Sequence, residues 1–291
     1  MKKAFLQLHI AVFLAGFTAI LGKLILLNEG LLVWWRLLIT IVVLAIIMIS
    51  RGELKAIPGK DFLKIAGVGF LVAFHWVAFY GSIKYANVSV ALVCFSATGF
   101  FTALFEPLIL KKKPVPAEFF FGLMAMAGIY IIFDFHPQYK MGILFGILAA
   151  VGSALFPIFN KILLNRFNSR ILTIYEFTGG LLSLCLLLPF YFMHFEPAYY
   201  LPTASDWGWL LLLSVVCTVV MFDLQLKALR KVSAFTVSLS YNLEPLYGIL
   251  LAFVIFRENK LLQQQFYFGL GLIMVSILLH TIKVLSDHRN R

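Results

Sequence analysis

The chain has 291 residues, of which 62% are hydrophobic and only 13% are charged, and its mean hydropathy is +0.96. A soluble domain carries about 25% charged residues, so this composition excludes a soluble enzyme or binding module of the same length. The formal net charge is +11, but the basic residues cluster in short loops between apolar segments, which does not indicate nucleic-acid binding. We therefore predict one integral membrane domain with no nucleic-acid partner.

Ten apolar segments follow one another, each close to the roughly 20 residues that a helix needs to cross a bilayer. They comprise residues 5–27, 31–50, 62–83, 88–110, 116–134, 141–164, 171–192, 207–229, 234–256 and 264–285. The first segment follows basic residues as a signal peptide does, but its apolar run is too long for one, and we expect it to remain as a helix. The predicted fold class is an all-α integral membrane protein with ten transmembrane helices.

The Lys and Arg residues are distributed unequally between the two sides of the predicted domain. With a cytoplasmic N-terminus, the cytoplasmic side contains Lys2, Lys3, Arg51, Lys55, Lys60, Lys64, Lys111, Lys112, Lys113, Lys161, Arg166, Arg170, Lys227, Arg230, Lys231, Lys283, Arg289 and Arg291. The positive-inside rule requires such a bias. We therefore predict a multi-pass protein of the cell (inner or plasma) membrane with both termini in the cytoplasm.

The two halves of the sequence resemble each other. The matching elements are residues 79–89 with residues 222–233, allowing one inserted residue, Phe121-Gly122-Leu123 with Phe268-Gly269-Leu270, Asp61 with Asp206, and Lys23 with Lys161. Each half contains five predicted spans, an odd number, so the second half must enter the membrane from the opposite side. We predict two inverted five-helix repeats over residues 1–137 and 138–291, an architecture found in many secondary transporters with a substrate site near the membrane midplane.

Three short motifs carry a resemblance to a known family. They are Ile83-Lys84-Tyr85-Ala86-Asn87-Val88-Ser89, Trp35-Arg36-Leu37-Leu38, and Arg257-Glu258-Asn259-Lys260-Leu261 ahead of Phe268-Gly269. Through them the chain resembles the drug/metabolite transporter superfamily, in its ten-helix form built from two EamA-type repeats. One departure is Lys113-Pro114-Val115-Pro116, which stands in the first half where the second has Arg-Glu. The resemblance implies a carrier that exports or exchanges small metabolites, often amino acids, without a bound cofactor.

The ninth segment carries a polar face at helical spacing, formed by Ser233, Thr236, Ser240, Glu244 and Tyr247. Glu244 falls near the middle of the membrane, where a carboxylate must face the bundle interior or water. Pro245 follows it and removes a backbone donor, which favours a local kink. Two interpretations stay open for Glu244: a substrate- or proton-binding acid, or a protonated carboxyl that is hydrogen-bonded to a neighbouring helix.

Polar residues in the earlier segments also allow two interpretations. The fourth segment has a stripe of small and polar residues that includes Ser96, and the third has His75 near Tyr80. His75 is either a proton relay or substrate ligand, or a neutral packed side chain. Arg36, beside two tryptophans, fits an interfacial belt as well as a substrate contact. For Lys23 we expect the side chain to extend outward to the membrane surface.

These residues define a predicted central site. We expect Glu244, Tyr241, Asn242, Ser240, His75, Ser96 and Tyr80 to bind a small-molecule substrate, with no catalytic residue, metal or cofactor. The sequence has no His-Glu-x-x-His, Cys-x-x-Cys, Gly-x-Ser-x-Gly or phosphate-loop motif of an enzyme. We therefore predict a secondary transporter in the lipid bilayer that works by alternating access, with proton or sodium coupling left open. The alternatives are a flippase for lipids or lipid-linked substrates and, less favoured, an intramembrane enzyme.

A row of small residues recurs every four positions in the sixth segment: Gly142, Gly146, Ala150 and Ala154. Small residues on one face let two helices approach closely. This pattern predicts a packing seam, either inside the bundle or between the two copies of a homodimer.

Overall fold

The computed structural model of the chain describes residues 2–111, 113–135, 137–229, 240–241 and 243–289. Over these ranges the chain is helical and forms no β-strand. The α-helices are α1 (Lys2–Leu24), α2 (Glu29–Ser50), α3 (Gly59–Tyr85), α4 (Val88–Phe95), α5 (Thr98–Leu110), α6 (Pro116–Phe135), α7 (Lys140–Leu163), α8 (Ser169–Tyr191), α9 (Ala204–Leu211), α10 (Met221–Leu229), α11 (Glu244–Phe256) and α12 (Gln264–Arg289). A π-helix (Leu212–Val220) joins α9 to α10, and short 3₁₀ turns cover Pro137–Tyr139 and Glu258–Lys260.

Most of these helices have the length and composition of membrane spans. Among the described residues, eight segments are long and apolar enough to cross a bilayer: Lys2–Leu24, Glu29–Ser50, Gly59–Tyr85, Val88–Leu110, Lys140–Leu163, Ser169–Tyr191, Ala204–Leu224 and Gln264–Lys283. Two further apolar helices, Pro116–Ile132 and Glu244–Phe256, are shorter. The chain is therefore a multi-pass, all-helical membrane protein, as predicted. Much of the first part of the predicted span 234–256 lies outside the described residues.

Within the described ranges, two of the membrane-spanning segments depart from regular α-helix. In the segment Val88–Leu110, a turn at Ser96 and Ala97 separates α4 from α5. The Ser96 hydroxyl donates to the Val93 carbonyl oxygen at 2.5 Å, within its own turn. In the second segment, the π-helix widens the backbone, and the Thr218 hydroxyl donates to the Leu213 carbonyl oxygen, five residues earlier, at 2.9 Å. Such π segments are frequent at functional sites because they change which side chains face the interior.

The helix contacts follow the pattern that two equivalent halves would produce. Helix α3 packs on α7 and α8, and its counterpart in the second half, the π-helix with α10, packs on α1 and α2. The contacts of α1 with α11 likewise correspond to those of α7 with α4 and α5. Helices α6 and α12, the last of each half, pack on each other. Packing thus supports the repeat that the sequence predicts.

The small residues of α7 pack inside the bundle. A Cβ on Gly142 would lie 2.5 Å from the Cβ of Ala86, and a Cβ on Gly146 would lie 2.5 Å from the Cβ of Cys94. Ala150 and Ala154 are buried as well. These small residues therefore pack inside the bundle rather than between two copies, because they let α7 approach the junction between α3 and α4 closely.

Candidate functional site

Charged contacts distinguish the two ends of the helical bundle. At one end, which we call the basic end, Arg170 pairs with Glu53 and Arg166 lies 3.2 Å from Asp61. These contacts join the end of α2 and the start of α3 to the start of α8. At the other end, which we call the opposite end, the connection between α1 and α2 contacts the start of α9, where the Leu26 amide donates to Asp206 at 2.8 Å.

The opposite end is held together by a buried carboxylate. Glu258 has no exposed surface. Its oxygens accept hydrogen bonds from Lys23 Nζ at 2.7 Å, from the backbone N–H groups of Val88 and Ser89 at 3.1 and 2.8 Å, and from the Ser89 hydroxyl at 2.7 Å. A carboxylate at the first turn of α4 is also favoured by the helix dipole. These four residues, the Glu258 cluster, connect α1 to α4 and to the end of α11.

The Glu258 cluster explains one motif and gives Lys23 a partner that the sequence did not predict. The Lys23 ammonium group pairs with the buried Glu258, and the extension of this side chain to the membrane surface stays a prediction. The Arg-Glu motif ends α11, since Arg257 takes a left-handed conformation with a φ of 54°. That turn places Glu258 against the start of α4.

Other hydrogen bonds reinforce the opposite end. Lys84 Nζ donates to the Ile25 carbonyl oxygen at 2.9 Å, and the Tyr191 hydroxyl donates to Glu29 at 2.5 Å. Tyr199, in the connection before α9, donates to Asp206 at 2.8 Å. Burial and this hydrogen bond raise the pKa of Tyr199 to about 12, so its hydroxyl remains a donor at neutral pH.

A cavity of about 360 Å³ lies toward the basic end, between α2, α8 and the π-helix with α10. It is lined by Thr40, Leu44, Ile47, Met48, Arg51, Arg170, Thr173, Phe177, Thr218, Val219, Val220, Phe222, Asp223 and Lys227. Arg51 and Lys227 are exposed, so they mark the mouth of the cavity. The volume is in the range of small-molecule sites.

Arg36 contacts Thr218, a residue of the cavity lining, and is 3% exposed. Its Nη1 donates to the Tyr80 hydroxyl at 2.8 Å, while its Nε and Nη2 donate to the Thr218 hydroxyl at 3.2 and 3.0 Å. The guanidinium carbon lies 3.7 Å from the centroid of the Trp76 ring, a cation–π contact. Among the described residues, no carboxylate comes within ion-pairing distance of Arg36. The side chain is therefore a buried cation held by neutral groups.

Local sequence positions the partners of Arg36. Helix α2 begins at the Asn28 cap, whose side chain accepts from the Gly30 amide at 2.8 Å, and Arg36 follows on its buried face. The π-helix places Thr218 against the guanidinium. Gly22 leaves room for Tyr80, since a Cβ there would lie 2.3 Å from the Tyr80 ring. The interpretation of Arg36 as part of an interfacial belt is therefore wrong.

Glu244 is the first residue of α11 and is half-buried. Glu244 lies close enough to Arg36 and to the hydroxyl groups of Tyr80 and Tyr241 for electrostatic interaction. Its side chain makes no hydrogen bond or ion pair with the described part of the chain. An acid in the first turn of a helix is favoured electrostatically. The structure thus places Glu244 and Tyr80 near Arg36. Within the described ranges, the Glu244 side chain is not hydrogen-bonded to a neighbouring helix.

The remaining predicted site residues are placed differently. His75 is 5% exposed, and its ring stacks on Phe156 and Phe95 with centroids 5.1 and 6.5 Å apart. Its Nδ1 has no hydrogen-bond partner among the described atoms. Ser96 bonds to its own turn at the α4–α5 break. Ser240 and Tyr241 are helical and precede α11, and Tyr241 packs on α1. Asn242 lies outside the described residues.

Sequence reasoning missed one residue of this site, Thr218, and left Arg36 undecided between an interfacial belt and a substrate contact. An Arg inside an apolar span is costly unless it faces the bundle interior. That cost alone favours the interpretation of Arg36 as a substrate contact over its interpretation as part of an interfacial belt. Thr218 carries no such signal, because a single Thr in an apolar run is common. Only the fold brings it to Arg36.

The fold and this site define a polytopic helical membrane protein in which two similar halves enclose a buried polar centre. The chain belongs to the EamA-like transporter family, whose sequence profile matches residues 2–134 and again residues 140–282. The resemblance to the drug/metabolite transporter superfamily is thereby confirmed. Members of this family are membrane transporters of small molecules.

We also compared the chain with curated protein sequences and with solved structures. No curated protein matches the sequence significantly. A solved structure titled "Crystal structure of protein" is 18% identical, with a TM-score of 0.64, and the alignment covers 97% of this chain and 98% of that one. At this identity the similarity shows a shared fold.

Proposed function

We propose that the protein is a secondary transporter, an exporter or exchanger of small organic metabolites such as amino acids, that works by alternating access through the cavity beside Arg36. In this proposal it lies in the cell membrane with both termini in the cytoplasm. The basic end, with the cavity mouth, then faces the cytoplasm.

One observation carries the proposal: a cavity lined by Thr218, the hydrogen-bond partner of Arg36, lies toward the basic end, while the Glu258 cluster joins the helices at the opposite end. The lining residue Thr218 accepts two hydrogen bonds from Arg36, so a solute in contact with Thr218 would lie one side chain away from the guanidinium. A carrier needs a central site that is open to one side and closed to the other. The contacts described above support such a state, open toward the basic end.

The repeat suggests how the second state forms. If residues 1–137 and 138–291 exchange their packing arrangements, the helices at the basic end would close as those at the opposite end now do, although without an equivalent of Glu258, because the first half has Lys113-Pro114-Val115-Pro116 in its place. The Glu258 cluster would separate, and α2, α8 and α10 would close over the cavity mouth. The same central residues would then face the opposite side.

Glu244 gives this proposal its first test. Replacing Glu244 by Gln should lower solute flux in proteoliposomes at least about ten-fold and remove its pH dependence, because the carboxylate beside Arg36 binds the substrate or a proton. The measurement is uptake of a radiolabelled amino-acid mixture at several external pH values. Glu106→Gln is the matched control, since Glu106 lies 3.4 Å from the exposed Lys161 at the protein surface.

The control should transport as the wild type does. Flux and pH dependence that stay at the wild-type level in Glu244→Gln would make the acid structural and remove it from the site.

A further inference from the structure

Helix α8 contains a buried acid that the site described above does not use. Glu176 is 5% exposed, and its Oε1 has no hydrogen-bond partner among the described atoms. The side chain of Asn160, on α7, lies close enough to the Glu176 carboxyl to interact with it. The Asn160 Oδ1 is also buried without a partner in the described ranges. Two oxygens that lack a donor therefore lie near each other, one on α7 and one on α8.

No cation pairs with Glu176 in the part of the chain that the structure describes. The charged and titratable groups of α8 and of the helices around it have other partners, lie at the surface or pack among aromatic rings: Arg170 with Glu53, Arg166 with Asp61, Lys161 with Glu106, Lys227 with Asp223, Arg36 with Tyr80 and Thr218, the exposed Arg51, Lys60 and Lys64, Tyr175 with the Lys55 carbonyl, and His75. A carboxylate buried without a counter-ion is costly, so such a group takes up a proton instead. One proton on Oε1 also supplies the donor that the Asn160 Oδ1 lacks.

The repeat gives Glu176 a counterpart in the first half. Helix α2 begins after the Asn28 cap and α8 after the Asn168 cap, and each cap side chain accepts a backbone N–H of the first turn. Arg36 follows its cap by eight residues, and Glu176 follows its own cap by eight residues. The two halves therefore have ionisable groups of opposite charge at equivalent positions.

The partner of Arg36 has a counterpart as well. When the match of residues 79–89 with residues 222–233 is extended back by four residues, His75 aligns with Thr218. Thr218 accepts hydrogen bonds from Arg36, whereas the His75 Nδ1 is buried without a partner among the described atoms. Of two equivalent contacts between the halves, one is thus formed, and both members of the other lack a partner.

We propose that Glu176 binds the coupling proton of transport, and that it exchanges this proton with His75 when the cavity opens to the opposite end. This inference rests on the proposed transport function and adds the coupling ion to it. In the state described here, the protonated carboxyl donates to the Asn160 Oδ1. When the halves exchange their arrangements, Glu176 takes the place that Arg36 has now, and its hydroxyl donates to the His75 Nδ1.

Two residues connect Glu176 to the solute. Thr173 and Phe177 line the cavity, and Phe177 directly follows Glu176 in α8. A solute that displaces these side chains opens Glu176 to the water of the cavity, into which the carboxyl releases its proton. In the opposite state His75 takes a proton from the water on that side and passes it to Glu176. Each cycle therefore moves one proton toward the basic end and one solute away from it.

Infrared spectroscopy of the purified full-length protein tests the protonation directly. At neutral pH the wild type should show the C=O band of a protonated carboxyl, and Glu176→Gln should lack it. In Glu176→Asp the band should shift, which identifies the residue even where the Gln variant does not fold. Glu106→Gln is the control, since Glu106 lies near the exposed Lys161, and it should keep the wild-type band. Absence of the band from the wild type, or a band unchanged in both Glu176 variants, would overturn the proposal.

Flux in proteoliposomes tests the coupling. A pH gradient should drive net uptake of the radiolabelled amino-acid mixture by the wild type. Glu176→Gln should lose this net uptake and still exchange labelled for unlabelled amino acids at the wild-type rate, because exchange needs no proton. Glu244→Gln should lose both, since Glu244 lies beside Arg36 and acts on the solute.

The two fluxes separate this inference from the transport function. Net uptake that persists in Glu176→Gln would overturn the proton site and leave transport intact. Loss of exchange together with net uptake in this variant would also overturn it, because Glu176 would then act on the solute. Absence of both fluxes from the wild type would refute the transport function, whatever the infrared spectrum shows.

Discussion

Replacing Glu258 by Gln should lower the free energy of unfolding by about 3 kcal/mol, the usual cost of removing one partner from a buried ion pair. The substitution leaves Lys23 without its counter-ion and replaces one of the accepting oxygens by an NH₂ group. Because that oxygen serves the backbone of α4, the start of this helix should loosen. Thermal and denaturant unfolding of the detergent-solubilised protein measure the effect.

Asp61→Asn provides the matched control for this variant. It removes an acid that pairs with a largely exposed arginine, Arg166, at the basic end. A surface ion pair contributes about 0–1 kcal/mol, so this variant should remain close to the wild type. Equal stability losses in the two variants would show that the Glu258 cluster is no stronger than a surface contact.

Replacing Gly69 by Val should prevent α3 from packing on α8. A Cβ at position 69 would lie 2.0 Å from the Glu176 carbonyl oxygen and 2.8 Å from the Gly180 nitrogen, and both are backbone atoms that cannot rotate away. Separation of the two helices would also displace Trp76 from Phe177, whose rings now lie 5.5 Å apart. We expect a loss of at least about 3 kcal/mol, the upper end of overpacking effects.

The same helix supplies the control. Gly67 has open space around its missing Cβ, so Gly67→Val carries the same change in helix propensity without a clash. The yield of monodisperse protein in size-exclusion chromatography should fall sharply for Gly69→Val and stay near the wild type for Gly67→Val. Similar yields for both variants would contradict the close approach of α3 and α8.

The fold could be predicted to a large extent because its main determinants are local. The lengths of the apolar segments fix the helices, and the recurrence of Asp61 as Asp206 and of Lys23 as Lys161 indicates two similar halves. The breaks were harder to predict. Nothing in the run from Leu212 to Val220 distinguishes a π-helix from an α-helix, because tertiary contacts select the wider turn.

The candidate site could be predicted only in part. Glu244 and Tyr80 stood out as polar groups in apolar spans, and the structure places both near Arg36. The role of Arg36 depends on Tyr80 and Thr218, which are distant in sequence. The direction of the Arg36 side chain therefore could not be predicted from the sequence of α2 alone. The pairing of Lys23 with Glu258 was missed for the same reason.

The most direct test of alternating access is to measure the distance between two spin labels at each end of the bundle by pulsed electron paramagnetic resonance. Labels at the exposed positions Ala56 and Lys227 report on the basic end, and labels at Leu26 and Leu261, which are 71% and 63% exposed, report on the opposite end. The native cysteines Cys94, Cys185 and Cys217 are replaced first. In Glu258→Gln the distance between positions 26 and 261 should lengthen while that between 56 and 227 shortens. Distances that stay constant, or that change in the same direction at both ends, would contradict the account.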